Sequence, residues 1–424
     1  MPPFVGIRLW LLVMLLAGLS ACRASDSTAG GKVSIRFSGY AGNPAETALM
    51  EKLVADFNRA QDAIHARYEP IPGTYYPKVL TMLASGTAPD VLYLDILYFQ
   101  PFLAKRKILR PLNDLLATSS TRPEDFIPSL LGAFSDGETI YGIPKDFNTL
   151  GLYYNRDSFK RAGLGYPDQT WNLERFRQAA ITLTHAKPPR AQYGFALAPD
   201  TADRFLPIAE MFGARLFNPD GTCAIASPEG IRAMAFYTGL KLSDHAAIFP
   251  SEVGSSFSGD AFGRQDVAMA FEGSWLTPYL QTSFPSLPYG VAQLPQGPAG
   301  RSNFLFTVAY VIPQGSRHVE AAWKLIEFLT SEEAQAQVTF ALPSRKVISR
   351  KYVEEHPEYR PILEAAAYAK PYDFGPQGPR IIDRLGVALQ EVLLGVKPPE
   401  QALQDAAKEI DLLNRRDLER GDVE

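Results

Sequence analysis

The stretch VSIRFSGYAGNPAETALMEKLVADF, residues 33–57, contains the signals of a strand, a loop and a helix in that order. Apolar and polar side chains alternate from Val33 to Phe37, a pattern that predicts a β-strand. A glycine-containing loop follows. Asn43 can then cap a helix, Pro44 suits the first helical position, and Glu46 lies three residues after the cap. Apolar residues recur at helical spacing beyond this point, at Leu49, Met50, Leu53, Val54 and Phe57.

A second unit of the same kind follows along the chain. Lys78–Ala84 has helical spacing, and Val91–Leu94 is a short apolar strand bounded by Pro89 and Asp95. Strands that alternate with helices predict an α/β fold with a mostly parallel sheet. Further helices are predicted at Leu173–Leu183, at Ala321–Leu329, from Thr330 onward and at Pro399–Leu413.

Composition limits the classes of function. The chain has 424 residues, enough for two or three domains or for one architecture with two cores. Hydrophobic residues make up 46% and charged residues 21%, which is the balance of a globular protein. The net charge of −4 and the interspersed charges give no electrostatic reason to expect a nucleic-acid partner or attraction to an anionic membrane surface.

The N-terminus predicts export and a lipid anchor. An arginine precedes the apolar run Leu9–Leu19, which is shorter than the roughly 20 residues of a membrane-spanning helix and has the form of a secretory signal. Leu19-Ser20-Ala21-Cys22 resembles a bacterial lipobox, so residues 1–21 are expected to be a signal peptide, Cys22 to carry lipid, and residues 22–31 to form a tether. The alternative is a plain signal peptide followed by a coincidental cysteine. The expected location is the periplasmic or extracellular face of a bacterial membrane.

Catalytic and cofactor motifs are missing from the sequence. It contains no Gly-x-Ser-x-Gly, no Gly-x-x-x-x-Gly-Lys-Ser/Thr and no Gly-x-Gly-x-x-Gly motif, and its five histidines do not form the paired helical spacing of a zinc site. We therefore expect a protein without cofactor or metal that is not an enzyme. A catalytic pair of carboxylates needs no fixed spacing in sequence, so an enzyme that acts on glycans remains an open alternative.

The middle of the chain resembles a known family. Gly142-Ile143-Pro144-Lys145-Asp146-Phe147-Asn148, running into Leu152–Leu164, resembles the hinge-and-strand segment of family 1 extracellular solute-binding proteins, the carbohydrate-binding relatives of maltose-binding protein. Ser274 departs from the family pattern, because many relatives have proline there. Further segments resemble the family's elements in the same order, so that the similarity covers essentially the whole mature chain: Ala84–Val91, Pro167–Trp171, Ala268–Trp275 and Glu320–Leu329.

The resemblance implies a two-lobed periplasmic-binding-protein fold of type II, an α/β fold whose lobes are joined by crossover hinge strands. Residues 32–146 with 302–343 are expected to form the first lobe, and residues 147–301 with 344–424 the second. The crossovers are expected near Pro144–Thr149, Arg301–Leu305 and Leu342–Val347.

Candidate ligand-binding residues follow from strand ends and from the resemblance. Asp95 ends a predicted strand and Tyr40 lies in the loop after another, and open α/β sheets bind ligands at the carboxyl ends of strands. Carboxylates and amides suit the hydroxyl groups of a sugar, and aromatic rings suit its C–H faces. The predicted set is Tyr40, Tyr76, Asp95, Asp146, Asn148, Glu272, Gly273, Trp275, Arg345, Tyr372 and Phe374.

Each of these residues also has a purely structural interpretation. Trp275 can be a core residue, and Asp95 can cap the following helix. The polar side chains of Asp146 and Asn148 can serve only to satisfy backbone groups of the hinge. The set as a whole is therefore a stronger prediction than any one member.

The function implied by the resemblance is that of the substrate-binding component of an ABC importer. We expect a monomer that captures a small neutral sugar, a disaccharide or a glucosylated polyol, and delivers it to a membrane permease and its ATPase. Contact with the membrane is expected through the lipid anchor only. A surface-anchored glycan hydrolase or lyase on a two-lobed body is the alternative, and a sensory receptor that signals to a membrane kinase is a third possibility.

The lipid anchor can be tested directly. Cys22→Ala removes the thiol that would carry the lipid, so the variant should leave the membrane fraction as a soluble or unprocessed protein and lose metabolic lipid labelling. Cys223→Ala, which changes the only other cysteine, should keep both the label and the membrane association. Lipid labelling of Cys22→Ala at the level of the parent protein would contradict the lipobox interpretation.

Overall fold

The computed structural model describes residues 31–41, 44–104, 108–185, 191–198, 202–338 and 340–421. The predicted signal peptide, the lipobox cysteine and almost all of the predicted tether lie outside these residues. Within the described ranges, no helix is both long enough and apolar enough to span a membrane.

The strands, in chain order, are β1 (Val33–Ser38), β2 (Ile64–Tyr68), β3 (Val91–Asp95), β4 (Ser135–Asp136), β5 (Thr139–Ile140), β6 (Gly142–Asn148), β7 (Gly151–Asn155), β8 (Tyr193–Ala196), β9 (Ala247–Ile248), β10 (Val267–Glu272), β11 (Tyr289–Gln293), β12 (Phe304–Val311), β13 (Leu342–Pro343) and β14 (Lys370–Pro371).

The helices are α1 (Pro44–Ala60), α2 (Tyr75–Ala84), α3 (Phe99–Ala104), α4 (Asn113–Ala117), α5 (Pro128–Ala133), α6 (Arg156–Arg161), α7 (Leu173–Leu183), α8 (Ala202–Met211), α9 (Pro228–Leu242), α10 (Ser258–Gly263), α11 (Leu276–Ser283), α12 (Val319–Leu329), α13 (Glu332–Gln335), α14 (Lys346–Glu355), α15 (Arg360–Ala365), α16 (Gly378–Leu393) and α17 (Pro399–Gly421).

Most local predictions are confirmed. The first strand and helix occupy the predicted stretch, and α7 has the predicted bounds because Asn172 accepts a hydrogen bond from the backbone N–H of Arg175 at 2.8 Å. The helix predicted from Thr330 onward begins at Glu332. Ser331 caps it, because the Ser331 hydroxyl accepts from the backbone N–H of Ala334 at 3.2 Å. Side-chain caps of this kind fix where a helix starts, which is why these starts are readable in sequence.

Two mixed sheets form the centres of the two lobes. The first has the order β13-β6-β12-β3-β1-β2, with β14 added beside β12, and the second has the order β11-β7-β10-β8-β9. The expectation of mostly parallel sheets is wrong. β12 runs antiparallel to both β3 and β6, and β7 runs antiparallel to both β10 and β11. These strands enter their sheets directly from the other lobe, so no covering helix forces them to be parallel.

Helices cover the outer faces of both sheets. In the first lobe α1 packs against β2 and against α12, which in turn contacts β1. In the second lobe α7 and α10 pack on β8 and β10. The buried aromatic rings of Phe37, Tyr93 and Tyr310 contact one another beneath the first sheet, with centroids 5.4 to 5.7 Å apart. This layered packing fixes the position of each sheet within its lobe.

The chain passes between the sheets where the sequence predicted crossovers. It leaves the first sheet between β6 and β7, returns between β11 and β12, and leaves again after β13. A further contact was not predicted: β14 pairs with β12 of the first sheet, although α15 contacts β11 and α16 packs on α8 and α9 in the second lobe. The segment around β14 therefore touches both lobes. The predicted division of the chain into lobes stays a prediction.

Asn303 connects two of the crossover segments. Its fully buried side chain donates from Nδ2 to the carbonyl oxygen of Leu150 at 2.7 Å and accepts at Oδ1 from the N–H of Leu150 at 3.1 Å. Leu150 lies between β6 and β7, and Asn303 directly precedes β12. One amide side chain thus satisfies both backbone groups at the point where the first crossover changes sheets.

Asn303→Ala should therefore lower the free energy of unfolding by about 2–4 kcal/mol, because each buried backbone group left without a partner costs roughly 1–3 kcal/mol. Urea unfolding followed by circular dichroism measures this loss. Gln404→Ala removes an amide from the exposed side of α17 and should change stability by less than about 0.5 kcal/mol. A loss in Asn303→Ala no larger than that of the control would show that water replaces the side chain.

Candidate ligand-binding site

Asp95 and Asp146 lie at the same level of the first sheet, on either side of β12. Val308 of β12 pairs with Asp95 of β3 on one side and with Asp146 of β6 on the other. The carboxylate of Asp95 accepts from the N–H of Leu97 at 2.9 Å, so Asp95 does cap the short turn that follows β3. Burial raises the pKa of Asp95 to about 6, and the nearby carboxylate of Asp146 adds to the rise. The sheet thus brings two predicted acceptors together, one strand apart.

Tyr40 and Tyr76 stand beside this pair and have different surroundings. The Tyr76 ring is buried and stacks on Tyr98 with centroids 3.5 Å apart, and its hydroxyl accepts from the N–H of Asp95 at 2.6 Å. Tyr40 is only partly buried. Burial raises the pKa of Tyr40 well above its usual value, and the carboxylates of Glu46, Asp146 and Asp95 act in the same direction. Tyr76 therefore positions Asp95, while Tyr40 keeps part of its ring open.

Asp146 belongs to a buried group of charges that the sequence did not reveal. Lys145 donates to Glu46 at 2.7 Å and contacts the Asp146 carboxylate, and its ammonium lies 5.0 Å from the ring centre of Tyr93. Burial raises the pKa of Asp146 and outweighs the lowering by Lys145. Burial alone would lower the pKa of Lys145, but the two carboxylates raise it, so Lys145 stays charged. Glu46 drew notice in sequence only as part of a helix start, and it serves here as the partner of Lys145.

Asn148 links the first crossover to the second sheet. Its side-chain oxygen accepts from the backbone N–H of Ser274 at 3.1 Å and from the hydroxyl of the same serine. Ser274 follows β10, which belongs to the second sheet. The residue that departs from the family's usual proline therefore supplies two donors to the crossover, which proline could not do.

Glu272, Gly273 and Trp275 lie together in the second lobe, as predicted from their neighbouring positions. Glu272 is buried and accepts from the indole N–H of Trp275 at 2.8 Å. A Cβ added to Gly273 would lie 2.2 Å from the indole ring, so the ring packs directly on the glycine backbone. Trp275 itself is only partly buried. Its ring therefore has a fixed orientation together with some open surface, as a stacking platform needs.

Asp203 and Arg204 were not among the predicted site residues. Arg204 donates to Glu272 at 2.8 Å and contacts the carboxylate of Asp203, and its guanidinium lies 5.8 Å from the ring centre of Trp275. Both residues occupy the first turn of α8, which follows β8 in the chain. The available signal was their position after a strand of the second sheet, where α/β proteins place ligand-binding residues.

Tyr372 and Phe374 pack beside the start of β12. The Tyr372 ring packs on Phe306 with centroids 4.8 Å apart, and Phe306 pairs in register with Asn148. The backbone N–H of Tyr372 donates to the carbonyl oxygen of Leu305 at 3.1 Å, which extends the pairing of β14 with β12. Burial raises the pKa of Tyr372 well above its usual value, and Asp203 of the second lobe and Asp95 of the first contribute.

Arg345 has structural partners that separate it from the rest of the set. Its guanidinium pairs with Asp125 at 2.9 Å, lies 5.0 Å from the ring centre of Phe126 and donates to the carbonyl oxygen of Thr330. The residue is buried, and its described contacts include none of the other predicted site residues. Arg345 thus stabilises the position of the chain after β13.

In the part of the chain that the structure describes, no group of three or more His, Cys, Asp or Glu side chains could hold a metal ion.

Two α/β lobes, joined by crossovers and facing one another with carboxylates and aromatic rings, define a two-lobed solute-binding protein. A family model described as bacterial extracellular solute-binding protein matches residues 41–336, which is most of the chain, and the chain belongs to this family. The predicted family and the predicted fold class are both confirmed.

Known proteins resemble the chain over nearly its full length. A binding-protein relative from Brucella abortus (strain 2308) is 25% identical over 422 residues, 97% of this chain and 100% of the relative. An arabinooligosaccharide-binding protein of Bacillus subtilis (strain 168) is 23% identical over 429 residues, with 96% of this chain and 92% of the relative covered. The solved structure of an ABC substrate-binding protein from Listeria monocytogenes in complex with cycloalternan has a TM-score of 0.82 at 24% identity, covering 90% of this chain and 98% of that one.

The raised pKa of Asp95 makes a prediction about stability. A carboxylate whose pKa is higher in the folded state disfavours folding once it ionises, so it costs stability above about pH 6 and nothing below about pH 4. Asp95→Asn keeps the shape without the charge. It should raise the free energy of unfolding at pH 8 by about 1–3 kcal/mol, with the gain vanishing toward pH 4.

Urea unfolding at several pH values measures this difference. Asp62→Asn serves as the control, because the Asp62 carboxylate is fully exposed and should give no comparable gain at pH 8. An Asp95→Asn variant with no gain at pH 8 would show that Asp95 ionises in the folded protein without cost.

Proposed function

We propose that the protein is the substrate-binding component of an ABC importer and that its ligand is a small neutral sugar. The single observation that carries this proposal is the pair of hydrogen bonds from Ser274 to Asn148, which ties the strand of Asp146 to the residue beside Trp275 and so brings carboxylates of the first sheet and the indole of the second lobe to one region. Carboxylates accept from sugar hydroxyls, while aromatic rings cover the sugar's C–H faces. The name of the arabinooligosaccharide-binding relative is consistent with a sugar ligand.

The charges of the site favour a neutral ligand over a phosphorylated one. The two cations described at the candidate site are already paired: Lys145 with Glu46 and Asp146, and Arg204 with Asp203 and Glu272. Asp95 adds a further carboxylate that has no ion pair among the described residues. A phosphate group would meet excess negative charge and no free cation among the described residues of the site, whereas hydroxyl groups would find acceptors.

A disaccharide or a glucosylated polyol is the size class that we propose. Asp95 with Tyr40 on one lobe and Trp275 with Glu272 on the other give two polar–aromatic pairs. A ligand that contacts both would favour the closed arrangement of the lobes, since a ligand shifts such an equilibrium only by its differential affinity. Closure about the crossovers would then distinguish the loaded from the empty receptor.

The remaining parts of the proposal concern partners and location. We propose that Cys22 anchors a monomer to the outer side of a bacterial membrane, where it delivers its ligand to a permease and ATPase encoded separately. Membership of the extracellular solute-binding family supports export and delivery. The hydrolase alternative gains no specific support, because Asp146 and Glu272 are both held in ion pairs, with Lys145 and Arg204 respectively.

A thermal-shift panel tests the ligand class. Maltose, trehalose, cellobiose and mannobiose represent neutral disaccharides, and sn-glycerol 3-phosphate represents an anionic ligand. We expect at least one disaccharide to raise the melting temperature, since ligand at 100 times its Kd adds about 2.7 kcal/mol of stability. The recovered sugar should be chemically intact by chromatography. A rise in melting temperature with sn-glycerol 3-phosphate alone would overturn the proposal of a neutral ligand. Chemical turnover of the sugar would overturn the proposal that the protein is a receptor.

A further inference from the structure

The guanidinium of Arg204 is held by contacts on three sides. It donates from Nη2 to Oε2 of Glu272 at 2.8 Å and from Nε to the carbonyl oxygen of Phe271 at 3.3 Å, and its Nη1 contacts Asp203. Its side chain is 13% exposed and that of Glu272 only 3%. A planar fork held in this way cannot turn without breaking several charge-assisted hydrogen bonds. Arg204 is therefore a rigid part of the second lobe.

The orientation of Trp275 depends on the same contacts. Its indole N–H donates to Oε2 of Glu272, which is the oxygen that also accepts from Arg204. The guanidinium lies near the indole, and the backbone of Gly273 packs against the ring. Without Arg204, Glu272 would be a buried carboxylate without a cation and would have reason to move toward water. The Trp275 indole would then lose both its hydrogen-bond acceptor, Glu272, and the neighbouring guanidinium of Arg204.

Asp203 has one oxygen available. Its carboxylate contacts Arg204, while Oδ1 is shielded from solvent and has no hydrogen-bond partner among the described residues. A shielded carboxylate oxygen is a strong acceptor that is costly to leave unpaired. Arg204, which contacts Asp203, lies 5.8 Å from the ring centre of Trp275. The Asp203 oxygen that lacks a partner among the described residues therefore belongs to the same group of contacting side chains as the Trp275 indole.

We propose that Asp203, Arg204, Glu272 and Trp275 form one recognition unit. Asp203 Oδ1 accepts a hydrogen bond from a hydroxyl of the sugar ring that stacks on Trp275, and Arg204 is a positioning residue that fixes the carboxylate and, through Glu272, the indole. This inference rests on the proposed sugar-binding function. The inference narrows the ligand to a sugar that has a free hydroxyl on the ring stacked against Trp275. A uronic acid at that position is disfavoured, because its carboxylate and that of Asp203 would repel each other.

The positioning role can be measured without ligand. Of the four tryptophans, Trp10 lies in the predicted signal peptide and Trp171 and Trp323 are buried, so acrylamide quenching of the mature protein reports chiefly on Trp275. Trp275→Phe supplies the background signal. We expect Arg204→Gln to raise the quenching constant of Trp275 about twofold or more. Arg204→Lys keeps the charge but lacks the planar guanidinium, so its quenching constant should lie between those of the parent protein and Arg204→Gln.

The positioning role of Arg204 would be overturned if Arg204→Gln has the circular dichroism of the parent protein and also the same quenching constant. If Arg204→Gln does not fold, Arg204→Lys decides the question in its place. Quenching of the lysine variant equal to that of the parent protein would show that charge alone suffices and that the fork fixes nothing.

The acceptor role is measured by titration calorimetry with the disaccharide of the panel above that gives the largest thermal shift. Asp203→Asn turns one acceptor oxygen into a donor and should weaken binding at least tenfold while leaving the quenching of Trp275 unchanged. Asp95→Asn, on the other lobe, should also weaken binding without affecting the indole.

The outcomes separate this inference from the function on which it rests. Native affinity in Asp203→Asn, with weakened binding in Asp95→Asn, would overturn the role of Asp203 and leave the sugar receptor standing. Failure of every disaccharide to bind the parent protein would overturn the proposed function, and the quenching comparison would still decide the role of Arg204.

Discussion

The pairing of β12 with β3 on one side and β6 on the other is the contact on which the rest of the structure depends. The chain passes from β6 into the second lobe and returns from that lobe into β12. Because β6 and β12 are neighbours in the first sheet, this pair of strands carries the connection between the lobes. The same pairing sets Asp95 and Asp146 on either side of Val308. Because hydrogen-bonded register fixes which residues face one another across strands, the connection between the lobes and the geometry of the candidate site have one physical origin.

Each lobe also contains a cation held between two carboxylates, fully buried in the case of Lys145 and mostly buried in that of Arg204. Lys145 lies between Glu46 and Asp146 in the first lobe, and Arg204 lies between Asp203 and Glu272 in the second. Burying such groups is expensive, and hydrophobic replacements often give equal or greater stability. We attribute to these ion pairs a geometric role in the site. A carboxylate tied to a fixed cation has one orientation, and a ligand that needs hydrogen bonds at set angles benefits from acceptors already in place.

The segment around β14 adds a contact that bears on motion between the lobes. It pairs with β12 while the helices on either side of it pack on the second lobe, and the rings of Tyr372, Phe374, Phe304 and Phe306 pack together beside it. Asn303 and Asn148 provide further links across the same region. Rotation of the lobes would therefore be taken up by a few residues at the ends of β6, β12 and β13, because the packed interiors of the sheets resist deformation.

The sequence by itself determined the α/β class, the starts of several helices, the family and the neighbourhood of the crossovers. These features depend on local signals: Pro44 at the first turn of α1, the caps Asn172 and Ser331, and alternating apolar residues in β1. It also indicated Asp95, Trp275 and Tyr372 as polar and aromatic groups near strand ends or in loops. Only the tertiary structure decided that the sheets are mixed, that Arg345 pairs with Asp125, and that Arg204 and Lys145 hold the site carboxylates. The partners in these ion pairs are separated by 68 residues for Arg204 with Glu272, by 99 for Lys145 with Glu46 and by 220 for Arg345 with Asp125. No local pattern encodes such pairs, because they form only when the packing of two sheets brings distant segments together and excludes the water that would otherwise solvate each charge.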